Sequence, residues 1–353
     1  MSQATHTYRC EIDFLAGLGA FVEDELIARF GDRVRLRTGL RPDALAFDYM
    51  GALAALLELR SATAVSLVQR FDVPRPKALL GHQHFITLLA MIATARGLWR
   101  AGSFTTLRLS AAGDESSVMA RLKHELEQGT GLRPDPLEGD LLLRFRRVPD
   151  GWEALVRLSP RPLATRPWRV CNFPGALNAT LAHAMAELTR PQPSDRVLNI
   201  ACGSATLLVE RLALAPAQEA IGCDIDSAAL DCADANLGAA AGHEFAHGQP
   251  VRLEQWDAGA LPLPGASIDV ILGDLPFGQL IGSHEGNLQL YPRIFAAAAR
   301  VAVPGARMAL VTHEVRLLEQ VADDFRAMWR LDTLLPVRSS GMTPRVYLLL
   351  REP

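Results

Sequence analysis

The sequence predicts an α/β protein whose C-terminal half is an open, mostly parallel sheet, preceded by α+β modules. Three observations predict it. Short β-branched runs alternate with helical stretches from Arg196 to Thr312, the order of a parallel sheet. Several of those runs end in a small-residue turn or an acid, where open α/β sheets collect ligands. The N-terminal half instead runs strand, helix, strand, helix, strand before a second α+β stretch.

Tyr8–Phe14 alternates like a strand, and Gly17–Phe30 reads as an amphipathic helix with Phe21, Leu26 and Ile27 apolar. Ala44–Phe47 reads as a strand, Ala52–Leu59 as a helix and Ala64–Val68 as a strand. Asp72-Val73-Pro74-Arg75-Pro76 marks a boundary. A helix over Gln83–Trp99, a strand over Thr105–Leu109, a helix over Ser116–Gln128 and a strand over Leu141–Phe145 follow. Pro149-Asp150-Gly151 turns that strand back into Trp152–Leu158, and Ser159–Leu163 reads as a stiff linker.

The second half opens with the strand Arg196–Ala201, the small-residue turn Cys202–Thr206 and a helix to Leu214. Strands Glu219–Cys223 and Val251–Gln255 follow, with the helix Ser227–Leu237 between them. Ile268–Leu272 reads as a buried strand. A helix over Asn287–Val303 closed by Pro304-Gly305, a strand over Arg307–Thr312 and a helix over Val315–Met328 come next. Leu331–Pro336 and Val346–Leu350 end the chain, with Ser339-Ser340-Gly341-Met342 between them.

Chemistry gathers at the ends of these strands. Small residues at Cys202, Gly203 and Ser204 let backbone amides approach a ligand, and the next helix offers free N–H groups. Asp224, followed by Ile225, ends the second strand, where a carboxylate can accept from both ribose hydroxyls. Asp257 and Ala258 follow the third. Gly203 also suits a plain turn, Asp226 a helix N-cap and Asp257 a solvated loop; their succession favours a site. After the strand at 268–272 stands Gly273-Asp274-Leu275-Pro276-Phe277-Gly278. Asp274 and the Leu275 carbonyl can accept from an exocyclic amine, Pro276 stiffens the turn, and Phe277 can stack on a planar base.

Those stretches, with Asn172-Phe173-Pro174-Gly175-Ala176-Leu177-Asn178-Ala179-Thr180-Leu181, make residues 170–353 resemble a family. It is the class I S-adenosylmethionine-dependent methyltransferases of the THUMP-containing RNA guanine-N2 type. The resemblance implies a Rossmann-like, seven-stranded sheet with an antiparallel terminal hairpin. It implies that Asp224 holds the cofactor ribose and Asp257 its adenine amine. Cys202–Ser204 would cradle the methionine part, helped by the Asn178–Thr180 segment, and Asp274–Phe277 would hold the target base. Asn199, expected with Gly203, Asp224 and Asp257 to bind the cofactor, stands where the family has an acid that positions it, and Ala205 where the family has a second glycine. The organisation expected is a ferredoxin-like module at 1–72, a THUMP-like RNA-binding domain at 73–168 and the methyltransferase at 169–353.

Residues 1–169 hold 23 Lys and Arg against 19 Asp and Glu, whereas residues 170–353 hold 13 against 20. The basic half suits an RNA partner, structured RNA and tRNA in particular. Arg144, Arg146, Arg147, Arg157, Arg161, Arg166 and Arg169 cluster in sequence on the approach to the second half and are the expected phosphate contacts. A solvated-surface reading of the Arg excess stands beside this one. No apolar run reaches a membrane span, and the first twenty residues lack a signal pattern. Five scattered cysteines read as reduced thiols of a cytoplasmic protein, and the nine histidines show no metal-ligand spacing. A monomer is expected. The other readings are a non-catalytic RNA-binding protein on the same fold and an adenine-N6 nucleic-acid methyltransferase.

Overall fold

The computed structural model describes residues 6–39, 41–113, 115–277, 283–338 and 341–353. The chain divides into two compact units. One comprises the described residues up to Phe14 with Gly19–Ala164, the other Leu15–Leu18 with Thr165–Pro353.

The first unit contains β1 (Tyr8–Asp13), α1 (Gly19–Phe30), β2 (Val34–Arg37), β3 (Ala44–Tyr49), β4 (Ala64–Phe71) and α2 (His82–Arg96). After these come β5 (Thr106–Ala111), α3 (Ser117–Thr130), β6 (Arg133–Pro134), β7 (Leu141–Val148) and β8 (Gly151–Arg157). All eight strands form one sheet in the order β2-β3-β1-β4-β8-β7-β5-β6. The boundary expected at residues 72 and 73 separates no sheet, because β4 pairs with β8, Ser66 opposite Arg157 and Phe71 opposite Trp152. One hydrophobic core serves both segments, from Ile12 and Phe47 to Leu143 and Val156. The helix expected at Ala52–Leu59 is a 3-10 helix, Leu53–Glu58. Leu53 and Leu56 are its buried residues, the i, i+3 spacing that a tighter helix places on one side. Strand β2 escapes sequence reading because it is four residues long and its Val-Arg-Leu-Arg alternation, mostly exposed, is too short to mark a strand.

The second unit contains α4 (Ala179–Leu188), β9 (Arg196–Ile200), α5 (Thr206–Leu214), β10 (Glu219–Cys223), α6 (Ser227–Ala240) and β11 (Val251–Glu254). It continues with β12 (Ile268–Asp274), α7 (His284–Val301), β13 (Ala302–Thr312), α8 (Val315–Asp324), β14 (Trp329–Pro336) and β15 (Arg345–Arg351). The strand order is β11-β10-β9-β12-β13-β15-β14. Strands β11 to β13 run parallel, while β15 is antiparallel to both β13 and β14. Leu198, Ile221, Ile271, Met308 and Leu349 carry the sheet into the core, against Tyr291 and Phe295 of α7. The expected Pro304-Gly305 turn instead lies inside β13, where the register with β12 shifts between Ile268 and Val270. Gly278 and the Ser339-Ser340 pair lie outside the described residues.

One expectation about the cysteines is corrected. Cys171 and Cys232 are joined in a disulfide with their Cα atoms 5.4 Å apart. The two are 61 residues apart in sequence, so spacing gave no sign of the pair. Cys10, Cys202 and Cys223 are free and buried.

Candidate active site

The carboxyl edge of the second sheet is organised by the turn after β9. Ala201, Gly203 and Ala205 have φ of 44°, 50° and 63°, so the chain reverses through three left-handed residues. The Cys202 amide donates to the Cys223 carbonyl at 2.9 Å, and the Gly203 amide to Asp224 Oδ2 at 2.9 Å. Asp224 Oδ1 accepts from the Asp226 amide at 3.1 Å. Gly222 lies beneath this turn, where a Cβ would meet Leu253 Cδ2 at 2.9 Å and Cys202 Sγ at 3.3 Å. A side chain there would push the two strand ends apart.

A cavity of about 480 Å³ lies on this edge. Its walls come from the 173–177 segment, from the turn at 201–204 and from Asp224–Asp226, Trp256–Ala258, Asp274, Pro276, Leu290 and Ile294. Of the expected site residues, it brings together Cys202, Gly203, Ser204, Asp224, Ile225, Asp257, Ala258, Asp274 and Pro276. Ile225 stands 70% exposed beside two acids, an apolar face fit to cover a planar ring. Asp257 Oδ1 accepts from the Gly259 amide at 2.8 Å, and its other oxygen lies 2.5 Å from Arg293. Burial works to raise the Asp257 carboxyl, but the Gly259 amide and the Arg293 guanidinium outweigh it and hold it below the ordinary range.

Three expected cofactor residues lie elsewhere. Asn178 is the N-cap of α4, its Oδ1 accepting from the Thr180 amide at 2.9 Å and the Thr180 hydroxyl at 2.7 Å. Thr180 is thereby buried against its own helix. Asn199 is fully buried, its Nδ2 donating to the Ile200 and Leu272 carbonyls at 3.2 Å each, a tie between β9 and β12. Asn199 Oδ1 has no partner among the described residues. Ala205 is buried as well, so its methyl group is not in the cavity.

At the end of β12, Asp274 is partly exposed into the cavity, with no hydrogen-bond partner for its carboxylate among the described residues. Burial pushes its carboxyl up to about 7. The Leu275 side chain is buried in the core and its amide donates to the Val311 carbonyl at 3.0 Å. Phe277 packs on His313, ring centroids 4.2 Å apart and tilted by 51°, and is not in the cavity wall. Burial lowers the His313 imidazole below its ordinary value, which keeps it neutral. Sequence reading gave no role to His313, Trp256, Leu290 and Ile294: the last two lie on α7, and His313 and Trp256 follow strands without an acid or small-residue motif of their own.

Most of the seven expected phosphate-contacting arginines spend their guanidinium groups on partners within the protein. Arg144 pairs with Asp13 at 2.6 Å. Arg146 bridges the buried Glu11 and Glu153 at 2.6 and 2.7 Å. Arg166 forms a buried pair with Glu210 at 2.8 Å, and Arg169 donates to the Leu177 carbonyl and the Thr206 hydroxyl. Arg147 and Arg161 are exposed, Arg161 only 3.5 Å from Glu138. Arg157 points inward, donating to the Ser159, Gly139, Asp140 and Pro160 carbonyls. Burial brings it down to about 10.

A sheet with acids at successive strand ends around one cavity is the architecture of class I methyltransferases, in which a nucleotide-type ligand lies across the strand ends. Residues 166–343 match the family described as RMKL-like, methyltransferase domain, and the chain belongs to that family. It is 30% identical over 187 residues to the tRNA (guanine(6)-N(2))-methyltransferase THUMP3 of Bos taurus, covering 51% of this chain and 37% of that protein. The chain thus spans little more than a third of that relative's length. It is 31% identical over 196 residues to the tRNA (guanine(6)-N2)-methyltransferase of Thermus thermophilus, 55% of each chain. The crystal structure of TrmN from Thermus thermophilus superposes with a TM-score of 0.75 at 24% identity, covering 98% of this chain and 100% of that one. Among the described residues no helix is long and apolar enough to cross a membrane.

Proposed function

We propose that this chain is an S-adenosylmethionine-dependent RNA methyltransferase that acts on the N2 amine of a guanine, in tRNA. One observation carries the reading: Asp224, Asp257 and Asp274, the last with no hydrogen-bond partner among the described residues, line one cavity at the ends of three different strands. The relatives named for guanine-N2 methylation of tRNA support the substrate.

The residues present fit the cofactor. Ser204 Oγ is buried and has no partner among the described residues, and Ser204 lines the cavity. No atom lies within 4 Å of where a Gly203 Cβ would stand, so the turn is open for a ligand to approach its backbone. Asp224 would hold the ribose hydroxyls, Asp257 the adenine amine and Ile225 the ring. When bound, S-adenosylmethionine supplies a methyl group electrophilic enough that the protein needs no nucleophile.

What the protein contributes is the amine's orientation and a place for its proton. A guanine N2 lone pair is delocalised into the ring. Acceptance of its hydrogens by Asp274 and the Leu275 carbonyl favours the pyramidal form that attacks. Asp274, raised to about 7, can take the proton as the bond forms. Phe277, packed on His313, is read as the aromatic surface for the base. Residues 73–168 are read as THUMP-like and, with the ferredoxin-like 1–72, as the RNA-binding part, in a monomeric cytoplasmic protein. The experiment is nucleoside mass spectrometry of tRNA incubated with protein and cofactor. N2-methylguanosine is expected. N6-methyladenosine would keep the site and overturn the substrate, and no methylated product despite cofactor binding would leave the non-catalytic reading.

A further inference from the structure

The turn that carries Asp274 is held from behind by a directed chain of hydrogen bonds. The Pro276 carbonyl accepts from Asn287 Nδ2 at 2.8 Å and from the Tyr291 hydroxyl at 2.7 Å. The Tyr291 oxygen also lies 2.7 Å from Thr312 Oγ1. A carbonyl only accepts, so the Tyr291 proton points to Pro276. Thr312 must then donate to Tyr291. Thr312 Oγ1 accepts in turn from the Glu314 amide at 2.9 Å. Every proton position in the chain from Glu314 to Pro276 is thereby set.

The three side chains are buried, Asn287 at 1% exposure and Tyr291 and Thr312 at 0%. Asn287, Leu290, Tyr291 and Ile294 stand at i, i+3, i+4 and i+7 on α7, one stripe of the helix. Leu290 and Ile294 line the cavity, while Asn287 and Tyr291 reach the turn. Burying an amide and a phenol in a helix stripe is costly unless each is bonded, and both donate to one carbonyl.

We propose that Tyr291 and Asn287 are positioning residues for the methyl-accepting amine. By occupying the Pro276 carbonyl they leave the Leu275 carbonyl, beside Asp274, as the backbone acceptor the turn presents to a base. Neither residue touches the substrate. The inference rests on the guanine-N2 reading for its chemistry but not for its geometry.

The test uses full-length protein carrying Tyr291→Phe or Thr312→Val, with Thr312→Ser as the conservative control. Both disruptive variants should lower kcat about tenfold to a hundredfold, the cost of misplacing a reacting group by a fraction of an ångström to an ångström. Cofactor and tRNA affinities should stay within about twofold, since neither ligand is touched. Thr312→Ser should retain wild-type kcat. Amide hydrogen exchange over 272–277 should accelerate in Tyr291→Phe and Thr312→Val and not in Thr312→Ser. Unchanged exchange, or unchanged kcat in variants of an active wild type, overturns the proposal. Cofactor affinity falling in step with kcat assigns the pair a general structural role and also overturns it. A wild type with no methyl transfer removes the guanine-N2 reading, and exchange alone then decides whether the chain holds the turn.

Discussion

The Gly203 amide donates to Asp224 Oδ2 at 2.9 Å, which ties the turn after β9 to the end of β10. The carboxylate proposed to hold the ribose hydroxyls also holds the backbone of the turn at Gly203. On that reading, losing it removes a ligand contact and loosens the turn together.

Asp224→Ala should therefore weaken S-adenosylmethionine binding by at least about 1.5–3 kcal/mol, the scale of a charged hydrogen bond left unmade. Asp224→Asn keeps one acceptor oxygen and should lose less. Titration calorimetry with the cofactor and its demethylated product compares the two. Equal affinity in wild type and Asp224→Ala would remove Asp224 from the site.

The rate of methyl transfer should rise with pH and level off above about 7, because Asp274 accepts only when ionised and burial holds it near that value. Asp274→Asn should be slow and lack that limb. Stability runs the other way. A carboxyl raised from 3.8 to about 7 in the folded state binds its proton more tightly there than in the unfolded chain. Its stabilising contribution is complete below 3.8 and is lost as pH rises through about 7. Thermal melting of wild type and Asp274→Asn at pH 5 and pH 8 should show the variant gaining relative stability at the higher pH.

Asn199→Asp, which installs the acid that the family resemblance implies, should not improve cofactor binding here. Asn199 Nδ2 donates to two buried carbonyls, and a carboxylate has no proton to give them. Two unsatisfied carbonyls and a buried charge should cost about 2–4 kcal/mol of stability. Denaturant unfolding measures it, and a tighter cofactor complex in the variant would contradict this placement of Asn199.

Arg166 and Arg147 should part company. Arg166→Ala breaks a buried pair with Glu210 and should destabilise the protein by about 3–5 kcal/mol. Arg147 is exposed, so Arg147→Ala should leave melting unchanged. If Arg147 meets a phosphate, that variant should weaken tRNA binding and reduce the salt slope by about one. Filter binding across a salt series reads this directly.

The order of strands and helices along the second unit and its strand-end acids were legible in the sequence, because a parallel strand buried on both faces reads as a short β-branched run with polar residues at its exit. That local pattern located Asp224, Asp257 and Asp274. The strand-end logic failed at Asn199, the last polar residue of β9 but one step inside it. Inside the strand, the Asn199 amide nitrogen is spent on the carbonyls of β9 and β12. Sequence clustering likewise failed for the arginines. Alternate residues of a strand face opposite ways, so Arg146 meets the sheet's buried carboxylates while its neighbour Arg147 meets water.

By itself the sequence determined the α/β order, the strand-end acids and the turn at Asp274–Phe277, all of which depend on contacts within a few residues. Only the tertiary structure decided what lies between distant segments. It joined the N-terminal strands into one sheet through β4 and β8, closed Cys171 onto Cys232 across 61 residues, and set Tyr291 and Asn287 behind Pro276. These are long-range pairings, chosen by which partners satisfy buried surface and buried polar groups, and no spacing along the chain records that choice.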